Sequence, residues 1–380
     1  MEGLRVGAGL VHIGIDLTGL WRCKTGIFRY AASISRALLA RADGINYTLF
    51  YRKGEPPPAF ALGSGARLVA TPLRQERLAM QLWFPLARRR LGLDAIHYPA
   101  FPPPLLQRRG MVASIHDVTA WRYPRTMTWI GRHYWRPLLR HAAATARPVL
   151  VPSESTRADV IALAGADPEQ VVVTPYAADA AFGQRPPEAI FAVVRRRYRL
   201  PDRYLLTVGT LEPRKNLVTL LRAMELLQRR ASDKPTLVLV GREGWGPPDT
   251  VQRLQALGDA VRFTGHISDQ ELIVLYHGAA LFIFPTLYEG FGLPVLEAFA
   301  AGCPVVSTTT SSIPEAAGDA ALLVDPLDYL AMAEAISKVW NDPALAGRLR
   351  RLGRERSTQF TWERCAALTV DAYRSRLTER

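Results

Sequence analysis

Short apolar segments alternate with helical periods along this chain, and the alternation occurs twice. The first half contains five segments of strand length bounded by turn residues: LVHIGID (10–16), INYTLFY (45–51), AIHYP (95–99), MVASIHD (111–117) and RPVLVPS (147–153). The second half contains five more: RYLLTVG (203–209), TLVLVG (236–241), VRFTG (261–265), ALFIFP (280–285) and CPVVST (303–308). Because strands separated by helices pair in parallel through crossovers, the pattern predicts an α/β fold with two doubly wound parallel sheets.

Chain length and linker composition predict two domains. The 380 residues exceed one ordinary core, and 48% hydrophobic with 22% charged residues is the composition of a folded protein. Pro and Gly in AAFGQRPPEAI (180–190) are typical of a linker, which places the boundary between 183 and 184. The apolar runs fall short of the about 20 residues that a transmembrane helix needs. The N-terminus has no signal-peptide pattern, so a cytoplasmic location is expected.

Two helices of the first half have detailed sequence signals. Residues 25–40 carry apolar side chains at intervals of three and four, which predicts one buried face: Ile27, Tyr30, Ile34, Ala37 and Leu38. Ser153 precedes another helical stretch, and we expect its hydroxyl to cap that helix.

The segment LYEGFGLPVLEAFAAGCPVV (287–306) follows a predicted strand and is the strongest functional signal. Gly290 and Gly292 allow a ligand to approach the backbone closely, and Pro294 suits a first helical turn. A helix is therefore predicted to start near Leu293, and its N-terminal amides would favour a phosphate group.

Two carboxylates lie eight residues apart in this segment. Glu297 lies one turn into the predicted helix and has the chemistry to accept hydrogen bonds from two ribose hydroxyls. Glu289 lies in the preceding loop, from which it would reach a transferred sugar. In the alternative interpretation, Glu289 caps the helix and Glu297 is only solvated.

The segment TVGTLEPRKNLVTLL (207–221) repeats the order of strand, glycine, loop and helix. Arg214 and Lys215 precede a helix start predicted at Asn216, so two cations and free amides converge where a diphosphate would fit. The alternative is a solvated pair of charges on a loop.

These segments, together with RFTGHISDQELIVLYHGAA (262–280) and SSIPEAAGDAALLVDP (311–326), resemble the retaining GT-B glycosyltransferases, especially the bacterial O-antigen mannosyltransferases. The resemblance is specific over 203–342 and continues in outline to both ends. It implies two Rossmann-like domains that face each other across a cleft. It also implies transfer of a hexose, most simply mannose from GDP-mannose, with retention of anomeric configuration.

The resemblance assigns roles to side chains of the second half. It implies that Arg214 and Lys215 bind the diphosphate, that Glu289 lies beside the donor sugar, and that Glu297 binds the ribose. Backbone groups complete the implied donor site, with the 265–267 turn against the base and the 291–293 amides at the phosphate and sugar hydroxyls. The implied positions are Gly209, Gly265, His266, Ile267, Gly290, Phe291, Gly292 and Leu293.

The resemblance also reaches two positions of the first half. His116, in SIHDV (114–118), would lie near the reacting face of the sugar, although a lone histidine after a strand also fits a structural hydrogen bonder. Gly26 corresponds to the glycine loop near the donor phosphates, and Phe28 stands where a second glycine is common.

The resemblance implies no cofactor and no essential metal, since Arg, Lys and a helix N-terminus replace a cation. Residues 360–377 resemble the last helix of the family, which returns to the first domain at Trp362. The predicted domains are therefore 1–183 with 363–380, on the acceptor side, and 184–362, which binds the nucleotide sugar.

The net charge of +14 is concentrated in the first half, where residues 1–183 hold 23 basic and 12 acidic side chains. Aromatic and arginine side chains share LRQERLAMQLWFPLARRRLG (73–92) and WIGRHYWRPLLRHAAATARP (129–148), which suggests docking on an anionic membrane, at the inner face of the plasma membrane. A core helix with arginines outward fits equally well.

Partners and competing functions follow from the same residues. A saccharide or lipid-linked saccharide acceptor is expected beside the nucleotide-sugar donor. Other GT-B activities stay open, among them UDP-sugar-dependent transfer, epimerisation and phosphorolysis. Nucleic acid is not an expected partner, because no nucleic-acid-binding signature accompanies the basic charge.

Overall fold

The structure is a computed structural model that describes residues 11–20, 26–72, 79–100, 103–127, 129–230, 234–244 and 248–377. The chain divides into two compact units. Unit 1 contains the chain up to Trp121, Trp129–Pro175 and the chain from Trp362, and unit 2 contains Arg122–Thr128 and Tyr176–Thr361. The sequence places the passages between domains at 183/184 and 362/363, whereas this division falls at 175/176 and 361/362 and adds Arg122–Thr128 to unit 2.

The described part of unit 1 contains a seven-stranded parallel sheet with the order β3-β2-β1-β4-β5-β6-β7. Its strands are β1 (His12–Asp16), β2 (Asn46–Tyr51), β3 (Arg67–Ala70), β4 (Ala95–Tyr98), β5 (Met111–Ser114), β6 (Val149–Val151) and β7 (Val171–Val173). Its helices are α1 (Gly26–Leu39), α2 (Phe84–Arg90), α3 (Thr119–Arg122, across the boundary), α4 (Trp129–Thr145), α5 (Glu154–Asp159) and α14 (Trp362–Leu377).

Local sequence signals explain two of these helices. In α1, Tyr30, Ile34 and Leu38 are buried as the periodicity predicts. The inclusion of Ile27 in that face is wrong, since this first-turn side chain is 40% exposed. The Ser153 hydroxyl accepts a hydrogen bond from the Thr156 amide and caps α5, which confirms the predicted cap.

The described part of unit 2 contains a six-stranded parallel sheet with the order β10-β9-β8-β11-β12-β13. Its strands are β8 (Leu205–Val208), β9 (Leu237–Val240), β10 (Val261–Gly265), β11 (Leu281–Phe284), β12 (Val305–Thr308) and β13 (Ala321–Val324). Its helices are α6 (Glu188–Tyr198), α7 (Leu217–Arg230), α8 (Pro248–Leu257), α9 (Asp269–Gly278), α10 (Leu293–Ala300), α11 (Ile313–Ala317), α12 (Tyr329–Asn341) and α13 (Pro343–Ser357).

The core of unit 2 lies between its sheet and helices α7 and α12. Leu220 and Met224 of α7, Ile336 of α12, and Leu239 and Ile283 of the sheet are all fully buried in one apolar cluster. This packing holds the ends of β8 and β11 in a fixed position, because close-packed interiors leave little freedom to shift.

The two doubly wound parallel sheets are confirmed, and the ten predicted strands all form. Three observed strands were not predicted: β3, β7 and β13. Each lies at an edge of its sheet and is only partly buried. Each has only three or four residues, and apolar runs this short give a weak strand signal.

Strand order identifies a candidate position for a ligand in unit 2. The chain winds from β8 through β9 to β10 on one side, and returns to the other side of β8 with β11. In doubly wound sheets, ligands bind outside the carboxyl ends of the strands where the order reverses. The loops that follow β8 and β11 therefore define the candidate site.

Candidate functional site

Asn216 connects the loop after β8 to the residue that follows β11, and its backbone has a conformation that suits asparagine. Pro213–Lys215 form a 3₁₀ turn, and Asn216 ends it with a φ of 54°. Asparagine tolerates this left-handed conformation better than most residues. Its side-chain amide donates to the carbonyls of Pro285, at 2.9 Å, and Pro326, at 2.6 Å. The Leu287 amide donates to the Arg214 carbonyl at 2.9 Å, so the two loops also share a backbone bond.

Four charged side chains converge where these loops meet. Lys215 Nζ lies 2.6 Å and Arg214 Nη1 3.0 Å from the same Glu289 oxygen, Oε1. Arg214 also donates from Nη1 to the Tyr288 carbonyl and from Nη2 to Glu212 Oε1, each at 2.7 Å. The four charged side chains are only 13–15% exposed, so the alternative of a solvated Arg-Lys pair is wrong.

The ionisation of Glu289 follows from this contact. Burial raises the pKa of its carboxyl, but the charges of Arg214 and Lys215 and the hydrogen bonds from Lys215 and Thr286 outweigh burial and lower the pKa to about 2. The Glu289 carboxylate is therefore charged at neutral pH. It neutralises cations that the sequence assigned to a diphosphate.

The Glu289 backbone is also fixed. Its amide donates to Ser311 Oγ, and its carbonyl accepts hydrogen bonds from the hydroxyls of Ser311 and Ser312, all at 2.9 Å. Ser311 has a φ of 49° and lies in the loop after β12. Loops after three strands thus contribute to this cluster.

Helix α10 begins at Leu293, as predicted, and Gly292 is its N-cap. No side chain caps the helix, so the alternative that Glu289 caps it is wrong. Gly292 has a φ of 104°, and a Cβ there would lie 2.9 Å from the Ile313 side chain. Both facts require glycine at this position.

Glu297 and Phe291 are more buried than the sequence suggested. Glu297 is 6% exposed and accepts a hydrogen bond from the Tyr276 hydroxyl at 3.1 Å, so the alternative of a merely solvated carboxylate is wrong. Phe291 is 5% exposed and packs edge-on against Tyr176 and Phe360. The Gly290 backbone lies between Glu289 and Phe291, and it is buried too.

A glycine lies at the carboxyl end of each of the strands β8, β9 and β10. The Gly209 amide donates to the Val240 carbonyl, and the Gly241 amide donates to the Gly265 carbonyl. A Cβ on Gly241 would lie 1.9 Å from the Gly209 carbonyl oxygen, so these backbones are in contact. In the turn after β10, His266 is exposed and Ile267 is 7% exposed.

Two predicted residues lie in unit 1. His116 follows β5; its Nε2 lies 2.8 Å from the Pro99 carbonyl and its ring packs edge-on against Tyr30 at 5.0 Å. Burial lowers the pKa of His116, partly offset by Pro99 and Asp117, so the ring is neutral with its proton on Nε2. Gly26 is exposed at the start of α1, and the preceding KT of the motif lies outside the described residues.

The sequence missed three participants in the site of unit 2. Glu212 binds Arg214 from the same loop, and Gly241 packs on Gly209. Tyr123, from the Arg122–Thr128 segment of unit 2, donates to the Leu287 carbonyl at 3.2 Å and packs against Tyr288. A glycine directly after a strand was a readable signal for Gly241, whereas nothing local to Tyr123 indicates its contact.

The described ranges hold neither a candidate metal site nor a membrane-spanning helix. They contain no group of three or more His, Cys, Asp or Glu side chains arranged to hold a metal ion. They also contain no helix with the length and apolar composition to cross a membrane.

Comparisons with known proteins agree with this fold. Residues 202–342 match the family model "Glycosyl transferases group 1", and residues 24–182 match "Glycosyltransferase Family 4". The chain is 32% identical to the O-antigen chain mannosyltransferase B of Escherichia coli over 281 residues, 73% of each chain. It is 28% identical to the MMP alpha-(1->4)-mannosyltransferase of Mycolicibacterium hassiacum over 76% of this chain and 72% of that protein.

A solved structure shows the same fold. The structure of Anabaena HepE in complex with UDP and glucose superposes with a TM-score of 0.73, at 18% identity, over 97% of this chain and all of that one. The two parallel α/β sheets and the two matched family models define a glycosyltransferase. The chain belongs to the group 1 glycosyltransferases of the GT-B fold.

Proposed function

We propose that this glycosyltransferase moves mannose from GDP-mannose onto a saccharide or lipid-linked saccharide, with retention of anomeric configuration and without an essential metal. The support for mannose is the similarity to two mannosyltransferases, one of which shares 32% of residues. The support for a polysaccharide acceptor is the O-antigen chain enzyme among them.

One observation supports the proposed position of the donor site: Arg214 and Lys215 contact a single oxygen of Glu289 at the strand-order reversal of unit 2. Preorganised cations stabilise the charge that develops on a diphosphate as the bond to the sugar breaks. In this proposal Glu289 contacts the donor sugar, and Glu297 binds the ribose. The amides at the N-terminus of α10 receive phosphate oxygens.

His116 has a separate proposed role. His116 follows β5, and burial keeps its ring neutral, with the Nε2 proton directed to the Pro99 carbonyl. In this proposal the neutral ring contacts and orients a hydroxyl of the bound sugar. Replacement by Asn, which keeps an amide, should therefore retain more activity than replacement by Ala.

The donor is tested by thermal shift with GDP, UDP and ADP and their sugars, followed by transfer assays in which NMR reads the anomeric configuration of the product. We expect stabilisation by GDP and GDP-mannose, an α-linked product and full activity in EDTA. Selective stabilisation by UDP would instead favour a UDP-sugar donor, the nucleotide held by the HepE neighbour. Loss of activity in EDTA would contradict metal independence.

We also propose peripheral docking of unit 1 on an anionic membrane, with a narrower surface than the sequence suggested. Phe84 is fully buried against Phe50 and Tyr98, so it does not contribute. Within the described part of this segment, the exposed large apolar side chains are Leu82 and Leu86, at 52% and 50%.

Exposed Arg89 and Arg90 follow them at the end of α2. In the second segment, Arg136 and Arg140 lie over the Trp121 ring, which accounts for them without a membrane. The proposal therefore rests on α2.

Liposome flotation tests this docking. Wild type should float with vesicles that contain anionic lipid, and Arg89→Gln with Arg90→Gln should reduce flotation several-fold. The matched control is Arg229→Gln with Arg230→Gln, two adjacent exposed arginines at the end of α7 in unit 2. Binding that is indifferent to lipid charge would contradict the proposal.

A further inference from the structure

Glu212 is a carboxylate of the donor loop to which the sequence assigned no role. It directly precedes the 3₁₀ turn Pro213–Lys215. Its Oε1 accepts a hydrogen bond from Arg214 Nη2 at 2.7 Å, and its side chain is 15% exposed. A charge-assisted bond at this distance in a partly buried setting is stronger than a surface ion pair.

The charges of the cluster cancel. Arg214 and Lys215 contribute two positive charges, and Glu212 and Glu289 contribute two negative ones. A diphosphate that enters this site meets cations already bound to carboxylates. It must compete with those carboxylates for the same N–H donors.

The carboxylates of Glu289 and Glu212 form different ion pairs. Glu289 contacts both cations through one oxygen, so its removal disturbs the whole cluster. Glu212 contacts Arg214 through the guanidinium nitrogen that does not bind Glu289. Glu212 can therefore be neutralised while the bond between Lys215 and Glu289 stays in place.

We propose that Glu212 competes with the diphosphate for Arg214 and thereby weakens the binding of the nucleoside diphosphate product, which speeds its release. The inference rests on the proposed donor site and adds a regulating residue to it. Strong binding of donor and product alike does not raise turnover, and product release limits many enzymes. After the bond to the sugar has broken, Glu212 would re-form its ion pair with Arg214. This would shorten the lifetime of the product complex.

The test is Glu212→Gln, which keeps the shape and one acceptor oxygen but removes the charge. Calorimetry with GDP, at low and high salt, measures its effect on the dissociation constant. We expect GDP to bind about three- to tenfold more tightly, the range of a partly screened ion pair. The gain should shrink at high salt. Donor KM and kcat should both fall, since slower release limits turnover.

Two controls separate competition from general effects of charge or folding. Glu225→Gln removes a carboxylate that binds Arg253 elsewhere in unit 2, and GDP affinity should not change. In an Arg214→Met background, Glu212→Gln should no longer tighten GDP binding, because the shared cation is gone.

The outcomes distinguish this inference from the proposed function. If wild type binds GDP or another nucleoside diphosphate and Glu212→Gln leaves that affinity unchanged or weaker, Glu212 only orients Arg214 and the inference is overturned alone. If wild type binds no nucleoside diphosphate, the proposed function is overturned and the inference with it.

Discussion

Unit 1 and unit 2 each contain a group of linked polar side chains, and the two groups differ in charge. In unit 1, the Tyr373 hydroxyl lies 2.7 Å from His97 Nδ1, and His97 Nε2 lies 2.8 Å from the Ser114 hydroxyl. The Tyr30 hydroxyl lies 2.9 Å from that of Ser114 and completes the chain. In unit 2, the linked side chains are the ion pairs around Glu289.

The difference shows what burial does with and without a countercharge. Burial and the nearby His116 lower the pKa of His97 to about 3. The hydrogen-bonded side chains around His97 are therefore neutral at physiological pH. Burial acts against ionisation of Glu289 too, but two cations reverse its effect, and the pKa falls to about 2. A fully buried neutral chain stabilises a fold, whereas a partly exposed charged cluster has groups that a charged ligand can engage.

The largest effect on activity is expected from removing one cation of the charged cluster in unit 2. Lys215→Met should lower kcat for transfer by about 10²–10³-fold, the usual cost of removing one preorganised charge-stabilising donor. The unfolding temperature should change little, because Lys215 is not part of the apolar core. Steady-state kinetics with the identified donor measure the rate.

Lys338→Met is the control for this prediction. Lys338 is exposed on α12 of the same unit, and its replacement should leave kcat unchanged. A loss of less than tenfold in Lys215→Met would show that the charged cluster is structural, like the chain around His97.

Acid should affect the two groups in different pH windows. The pKa of His97 is lowered on folding, so the unfolded state binds protons more readily below its usual pKa of 6.5, and stability falls as pH drops towards about 3. The pKa of Glu289 is lowered from 4.5 to about 2, so its contribution is present above 4.5 and lost as pH falls towards about 2. The contribution of His97 should thus begin to be lost at a higher pH than that of Glu289.

Urea unfolding from pH 7 to pH 3 tests these windows. His97→Gln should remove about 2 kcal/mol of the loss between pH 7 and 5, and Glu289→Gln a similar amount between pH 5 and 3. His133→Gln, at an exposed position of α4, is the control for the first window. Identical pH profiles for wild type and His97→Gln would show that His97 does not titrate as its burial requires.

The smallest expected effect concerns the contact that Tyr123 makes with the loop before Glu289. Tyr123→Phe loses the bond to the Leu287 carbonyl but keeps the ring against Tyr288, so donor KM should rise only about two- to threefold. Tyr123→Ala removes both contacts and should have the larger effect. Tyr134→Phe, at an exposed position of unit 1, should leave KM unchanged. Wild-type kinetics in Tyr123→Ala would show that this contact does not position the loop.

Much of the fold was predictable because its signals are local. The central strands are short apolar runs, and the start of α10 is given by Gly292 and Pro294, both of which act within one turn. The edge strands β3, β7 and β13 were missed because apolar runs of only three or four residues give a weak strand signal. Arg214, Lys215 and Glu289 were found as candidates from their places after strands, but their mutual neutralisation was not predicted.

The sequence by itself determined which residue types follow which strands: glycines, two cations and two carboxylates at the ends of β8 and β11. Only the tertiary structure decided that Lys215 and Arg214 meet one oxygen of Glu289, which lies 74 positions after Lys215, and that Tyr123 contacts Leu287, 164 positions away. Periodicity and turn preferences depend on neighbours in sequence, which a chain displays directly. Ion pairing, burial and the resulting pKa depend on distances of a few ångströms in space, which sheet order and packing set.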